Sequence, residues 1–334
     1  MNSGIANACT GREGLKICEE TAKEAGRVLG IPERSVLIGS TGVIGMQIPM
    51  DRVKKGIAEL ASSKAETLEA GEAASRAIMT TDTHSKQAAV SLELSGKTVT
   101  LGGMSKGSGM IHPGMCTMLA FLTTDAAIEK ELLQKAVSEV VNETFNMISV
   151  DGDMSTNDTL LVLANGLAGN EEIREENEAY EAFKEALFFV CRELAMEMAG
   201  DGEGATKLIE SQVVHADTKE HAGILAKAVI QSNLTKAAIF GKDANWGRVL
   251  CALGYSGVSF DPEKVDLYFE ADGKKMLIFT DGSAADYSEE EAAELLGSSK
   301  VVILSDMHMG EEAATAWGCD LTYDYVKINA DYRS

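Results

Sequence analysis

The chain has 334 residues, which is enough for one large domain or two smaller ones with a sizeable hydrophobic core. Hydrophobic residues make up 45% and charged residues 25%, as in soluble globular enzymes, and the formal net charge of −22 argues against nucleic acid or an anionic membrane as a partner. No apolar run approaches the roughly 18 to 20 residues that cross a bilayer. Six scattered cysteines without zinc-like spacing, and an N-terminus without a signal segment, predict a cytoplasmic protein.

The N-terminal third alternates between helical and strand-like patterns. The expected elements are helices over 12–29, 50–62 and 65–78, and strands over 36–39, 88–94 and 98–101. Gly30 and Pro32 end the first helix, because glycine caps helices and proline cannot continue one. Ser95-Gly96-Lys97 predicts a hairpin turn between the last two strands.

The C-terminal part mixes the same two patterns. The expected elements are helices over 125–142, 171–198 and from Ser288 onward, and strands within LYFEADGKKMLIFTDG, KVVILSD and VKINADYRS. Antiparallel hairpins interspersed with helices predict a layered α+β fold.

The stretch GGMSKGSGMIHPGMCTML, residues 102–119, carries the sharpest chemical signal. It sets Thr117 directly after an apolar, glycine-punctuated run that follows a lysine. One interpretation is a self-cleaving peptide whose threonine becomes an N-terminal nucleophile, because cleavage would free an α-amine of pKa about 8 as its base. The other is a buried loop followed by a helix with Thr117 as its cap, and the residues of this stretch alone favour that second interpretation.

Seven motifs in order along the chain decide between these interpretations. They are NSGIANACTG, IGSTGVIG, IMTTDTHSK, KGSGMIHPGMCTML, SVDGDMSTNDT, GKDANWGR and KINADYRS, beginning at Asn2, Ile38, Ile78, Lys106, Ser149, Gly241 and Lys327. With them the chain resembles the ornithine acetyltransferase family, the bifunctional glutamate N-acetyltransferases of arginine biosynthesis.

The resemblance implies a sandwich of mixed sheets and helices of the self-processing, N-terminal-nucleophile type. It implies cleavage between Cys116 and Thr117 into chains 1–116 and 117–334, assembled as a heterotetramer of two of each. Thr117 would carry acetyl from N2-acetylornithine to glutamate, and use of acetyl-CoA as a second donor stays open. Cys116 is then a small spacer, because it lies on the wrong side of the cleaved bond to be the nucleophile.

The resemblance also implies the residues of the site. Thr41 and Gly42 would form the oxyanion hole, and the substrate contacts would be Thr80, Lys106, Thr117, Glu203, Asn329 and Ser334. A carboxylate such as Glu203 can hold the ornithine amine, and a fixed Lys106 can hold an α-carboxylate. Without the resemblance, Thr80 could cap a turn, Lys106 could be solvated and Glu203 could pair with Lys207.

Neither a metal nor a cofactor is predicted. The five histidines show no HxxxH or HExxH arrangement, and DGDMSTNDT lacks the register of a calcium loop, so it is interpreted as a capped turn. Two alternative functions stay open: a related amidohydrolase or aminopeptidase with water as the acyl acceptor, and a folded but unprocessed remnant. The remnant is considered because members of the family carry a further N-terminal segment before the first motif, which contributes strands.

The cleavage region and the C-terminus depart from the family pattern. Gly114 and Cys116 stand where asparagine and alanine are frequent, and Ser334 replaces a terminal threonine. We expect Gly114 to slow processing, whereas Ser334 keeps the hydroxyl.

Overall fold

The computed structural model describes residues 1–112 and 118–331. The N-terminal region holds three helices, α1 (Gly11–Leu29), α2 (Met50–Ser63) and α3 (Leu68–Ala77), and α1 packs against α2. Helix α1 ends as predicted at Gly30, whose φ of 70° lets its N–H bond the carbonyl of Gly26. The predicted strand over 36–39 is wrong, because these residues join no sheet, and only Ser40 and Val43 after them make isolated bridges to Asn2 and Ile5.

The first sheet has four strands in the order β1-β2-β3-β5. They are β1 (Lys86–Leu94), β2 (Lys97–Lys106), β3 (Leu119–Thr124) and β5 (Thr159–Ala164). The predicted hairpin is confirmed: β1 and β2 pair antiparallel around Ser95 and Gly96, which both have positive φ, as a two-residue turn requires. Strand β3 pairs antiparallel with β2 and parallel with β5.

The second sheet has seven strands in the order β4-β11-β6-β10-β7-β8-β9. They are β4 (Ile148–Ser149), β6 (Leu208–Ala216), β7 (Asp266–Ala271), β8 (Lys274–Thr280), β9 (Ser283–Ala284), β10 (Lys300–Asp306) and β11 (Glu312–Cys319). The sheet is mixed, since β10 runs parallel to β6 and antiparallel to β7.

The remaining helices join the two sheets into layers. They are α4 (Lys130–Glu143), α5 (Glu178–Gly200), α6 (Lys219–Gln231), α7 (Asn233–Phe240), α8 (Trp246–Gly254), α9 (Glu289–Leu295) and α10 (Tyr323–Asp331). Helix α5 contacts β1 and β2 of the first sheet and β11 of the second, and its apolar side chains, such as Phe183 and Leu194, are fully buried. A helix that is apolar around most of its circumference must be covered on more than one side. The layered α+β fold with mixed sheets is therefore confirmed.

The strand predicted in VKINADYRS is wrong in its described part, because Tyr323–Asp331 form helix α10. The Thr322 hydroxyl donates to the carbonyl of Gly204 at 2.7 Å and accepts from the Tyr325 N–H at 3.4 Å. A threonine that accepts from an amide three residues on is an N-cap, and this start signal outweighs the β-branched Val326 and Ile328. Among the helices of the described ranges, none is both long and apolar enough to cross a membrane.

Candidate active site

Lys106 ends β2 and is almost completely buried, with 8% of its surface exposed. Its Nζ donates a 2.7 Å hydrogen bond to the Thr80 hydroxyl and lies 3.8 Å from a carboxylate oxygen of Asp82. Burial lowers the pKa of Lys106, and the charge of Asp82 partly opposes that shift. The structure thus brings together Thr80 and Lys106, two of the predicted substrate contacts.

Asp82 lies at the centre of a buried ionic network. One of its oxygens accepts from Lys86 Nζ at 2.8 Å and from the Gly107 N–H at 2.6 Å. Lys86 also donates at 2.6 Å to Asp201, which follows the last residue of α5. Burial alone would raise the pKa of Asp82, but the charges of Lys106 and Lys86 outweigh it and the pKa is lowered. The network ties the end of β2 to α5.

Glu203 and Asn329 contact each other on the other side of the loop that follows β2. The Asn329 side-chain amide donates a 2.7 Å hydrogen bond to the Glu203 carboxylate, and the Glu203 N–H donates to the carbonyl of Ser108 at 3.0 Å. Glu203 lies close enough to Lys106 for its charge to oppose, in part, the lowering of the Lys106 pKa by burial. Lys207 donates instead to a backbone carbonyl of α7, so it does not play the pairing role considered for it.

The loop with Thr41 and Gly42 folds against the start of the chain. The Thr41 N–H donates to the Asn2 carbonyl at 3.1 Å, so the hydroxyl is the remaining donor of this residue. Gly42 has a φ of 126°, and a Cβ there would lie 2.3 Å from the backbone of Gly4. Within the described part of the chain, the Gly42 N–H has no hydrogen-bond partner, which leaves it available to an oxyanion.

Asn157 links this loop to the first sheet. Its side-chain amide donates to the Ser40 hydroxyl at 3.3 Å, and two residues further on the Thr159 N–H donates to the Met118 carbonyl at 2.7 Å. The backbone nitrogen of Met118 is covalently bonded to residue 117. The STNDT segment is thus hydrogen-bonded both to Ser40, which precedes the predicted oxyanion residues, and to Met118, which follows the predicted nucleophile.

Asp158 is a candidate site residue that the sequence analysis missed. Both carboxyl oxygens are buried, and neither makes a hydrogen bond of ordinary geometry with a described residue. Burial raises the pKa of Asp158 to about 8, although the nearby Met118 N–H and the charge of Lys106 oppose this shift. At pH 7 the group is thus mostly a neutral acid, the form that can donate a proton. The sequence shows only a polar turn, and it carries no signal for this burial.

The predicted nucleophile Thr117, the spacer Cys116 and the terminal contact Ser334 lie outside the described residues. Hydrogen bonds join the other predicted contacts in two pairs, Thr80 with Lys106 and Glu203 with Asn329. The two pairs are connected electrostatically, because the charge of Glu203 acts on Lys106. The arrangement offers a buried cation, a buried carboxylate and a neutral acid around the start of β3. It can hold a zwitterion and support acyl transfer.

Comparisons with known proteins show which family the chain resembles. The model of the ArgJ family matches residues 1–334. The arginine biosynthesis bifunctional protein ArgJ of Caldanaerobacter subterraneus subsp. tengcongensis is 51% identical over 334 residues, which are 100% of this chain and 82% of that protein. The protein of the same name from Symbiobacterium thermophilum is 54% identical over 333 residues, covering 100% of this chain and 81% of that one.

One solved structure is also similar. It is the crystal structure of the arginine biosynthesis bifunctional protein argJ from Bacillus halodurans, with 47% sequence identity and a TM-score of 0.61. The match covers 64% of this chain and 98% of the solved chain.

Proposed function

The chain belongs to the ArgJ family, and on that premise we propose that it moves acetyl from N2-acetylornithine to glutamate through an acetyl ester on Thr117. The family predicted from the seven motifs is thereby confirmed, and the chain is an acetyltransferase of arginine biosynthesis. The observation that carries the finer proposal is the convergence of Lys106 with Thr80 and of Glu203 with Asn329 near Met118.

The first step is cleavage of the chain before Thr117. The threonine hydroxyl attacks the Cys116 carbonyl, the acyl group moves from nitrogen to oxygen, and water hydrolyses the ester to give chains 1–116 and 117–334. The size of the solved relative supports this cut. Because 64% of 334 residues is about 214, and this is 98% of the solved chain, that chain has about 218 residues, the length of segment 117–334.

The second step is acetyl transfer by the new N-terminal threonine. Its α-amine accepts the hydroxyl proton, the hydroxyl attacks the acetyl carbonyl, and ornithine leaves before glutamate accepts the acetyl group. The Gly42 N–H and the Thr41 hydroxyl stabilise the oxyanion, where one donor is worth about 2.7 to 4 kcal/mol of the barrier.

The same pockets serve both amino acids. Lys106 binds the α-carboxylate that acetylornithine and glutamate share, because it is a buried cation already held by Thr80. Asn329 orients Glu203, which binds the charged amine of acetylornithine and of the ornithine product.

Three further proposals come with the family. The chemistry needs no cofactor beyond acetyl-CoA as an alternative acetyl donor, the processed chains assemble as two of each kind, and the enzyme works in the cytoplasm. The net charge of −22 agrees with small zwitterionic substrates rather than polyanions.

Intact mass spectrometry and N-terminal sequencing of the purified protein, with an acetylornithine assay in the presence and absence of glutamate, test the proposal. We expect two chains, one starting at Thr117, and ornithine release that continues only when glutamate is present. Equal turnover without glutamate would identify an amidohydrolase. A single species of 35.5 kDa that persists and is inactive would identify the unprocessed remnant.

A further inference from the structure

A second cluster of reactive side chains lies at one end of the seven-stranded sheet, apart from the residues of the acetyl-transfer site. It consists of His215, Asp306 and His308, whose ligand atoms all lie within 4.8 Å of one another. Within the described ranges, it is the only such group of three or more histidine, cysteine or acidic residues. Both histidine side chains are about half exposed, whereas Asp306 is 17% exposed, so the cluster is open to solvent on one side only.

The topology of the sheet explains this juxtaposition. Strands β6 and β10 run parallel and both end here, with Val214 opposite Asp306. The turn after β10 folds back over β6, since the N–H groups of Met309 and Gly310 both donate to the His215 carbonyl, at 2.7 and 2.9 Å. Loops at the carboxyl ends of parallel strands are a common place for ligands.

The distances from both histidines to Asp306 are close to those between the ligands of a metal centre. The His215 Nδ1 lies 2.8 Å and the His308 Nδ1 lies 3.5 Å from the same oxygen of Asp306. In a tetrahedral zinc site, ligands at about 2.0 to 2.1 Å from the ion are about 3.3 Å apart. The two observed distances bracket that value, and the histidine nitrogens lie within 4.8 Å of each other. The two rings stack nearly parallel with centroids 6.2 Å apart, so the histidine side chains would rotate toward a shared ion to complete the set.

His308 is also oriented as a metal ligand is. Its Nε2 lies 2.9 Å from Asp266 of β7, and the other Asp266 oxygen accepts from the Thr280 hydroxyl at 2.5 Å. A carboxylate that accepts the proton of one ring nitrogen leaves the other nitrogen as an acceptor, which is the usual outer shell of a histidine–zinc bond. The Asp266 contact thus favours the tautomer that is protonated at Nε2, which leaves the Nδ1 that faces Asp306 without a proton and free to bind a metal.

We propose that His215, Asp306 and His308 bind one divalent transition-metal ion, with Zn²⁺ as the best match, and that water completes the coordination. Two imidazoles and one carboxylate suit zinc and its neighbours in the first transition row, whereas Ca²⁺ and Mg²⁺ prefer oxygen ligands alone. The ion would brace the ends of β6 and β10 and the turn between β10 and β11. The proposal is independent of the acetyl-transfer function, because none of these residues belongs to that site.

The sequence pattern gave no sign of this site. Its ligands are separated by 91 residues between His215 and Asp306, so no compact histidine motif exists. Only the pairing of β6 with β10 brings them together, which is why no metal was predicted.

The test uses the full-length protein with its thiols alkylated, treated with EDTA and then desalted. Alkylation removes the competing cysteines, among them the exposed Cys9 and Cys251. Zn²⁺ is titrated against a chromophoric indicator, and Tm is measured with and without the ion. We expect one site per chain and a higher Tm with Zn²⁺.

Variants identify the ligands. His308→Ala and His215→Gly should each weaken zinc binding by at least about tenfold, and Asp266→Asn by about 10- to 100-fold through loss of the outer shell. His221→Ala is the matched control, because His221 also lies 2.8 Å from an aspartate, Asp217, outside the cluster. The absence of a stoichiometric site, or equal binding by wild type and His308→Ala, would overturn the proposal, provided that circular dichroism shows each variant to be folded.

Discussion

The Lys86–Asp82–Asp201 network and the His215–Asp306–His308 cluster are both built from ionisable groups that the fold brings together, but they differ in solvent access. The side chains of the network are at most 3% exposed, whereas the histidines of the cluster are about half exposed. Water can replace a lost partner at the cluster but cannot reach the network. A change of one residue should therefore be severe in the network and mild at the cluster unless a metal is bound.

The largest expected effect is at the proposed nucleophile. Thr117→Ala should abolish both cleavage and acetyl transfer, because no other residue provides both the hydroxyl and the new α-amine. Intact mass and the acetylornithine assay measure the two steps. Cys116→Ala is the control and should leave both steps intact, and a Thr117→Ala protein with comparable activity would refute the assignment.

The buried Lys86–Asp82–Asp201 network should contribute more to the free energy of unfolding than an exposed ion pair does. Asp82→Ala removes one of the two carboxylates that pair with the buried charge of Lys86. Breaking a buried ion pair in this way costs about 3 to 5 kcal/mol of unfolding free energy. Denaturant unfolding measures the loss. Lys55→Met, which breaks the exposed Lys55–Glu59 pair, is the matched control and should change stability by less than about 1 kcal/mol. Similar effects of both changes would contradict the contrast drawn from burial.

Substrate recognition should depend on Glu203. Glu203→Gln keeps the shape and the Asn329 contact but removes the charge, so KM for acetylornithine should rise by about 10- to 100-fold, the value of a charge-assisted hydrogen bond. Steady-state kinetics measure this. Glu181→Gln, on the exposed side of α5, should leave KM unchanged. If KM is unchanged and only kcat falls, Glu203 does not hold the substrate amine.

Asp158 should impose a pH dependence on stability. Its pKa is about 8 in the folded protein and about 3.8 when unfolded, so between these values only the folded state keeps the proton. Stability contributed by this group is therefore lost as pH rises from about 4 to 8. The Tm advantage of Asp158→Asn over wild type should grow across that window and level off above it, and a constant difference would show that the acid is not held neutral.

The smallest effect is expected at the exposed cluster in the absence of metal. His308→Ala in EDTA should change the unfolding free energy by less than about 0.5 kcal/mol, as for other surface changes. Denaturant unfolding in EDTA checks this against Asp82→Ala. A loss as large as that of Asp82→Ala would show that the cluster already stabilises the protein without an ion.

Several features could be predicted because their cause is local. The left-handed Gly30 ends α1 and the Ser95-Gly96 turn joins β1 to β2, as their residue types require. The motifs also gave the family, and among the site residues they predict, Thr80 pairs with Lys106 and Glu203 with Asn329. The roles of all these residues stay predictions, and Thr117 and Ser334 also lie outside the described ranges.

Other features failed or escaped prediction because their cause is distant in sequence. The segment around Val326 alternates like a strand, yet the Thr322 cap, held by Gly204 from another part of the chain, begins a helix. Asp158 is an ordinary polar residue in sequence and becomes a neutral acid only through burial.

The sequence by itself determined the family and several local turns and caps, and it predicted the residues for acetyl transfer. Only the tertiary structure decided which charges lose their water, as in the Asp82 network, and which separated ligands meet, as His215 and Asp306 do across β6 and β10. The reason is that turn and cap preferences depend on neighbouring residues, whereas desolvation and coordination depend on packing between strands and helices far apart in the chain.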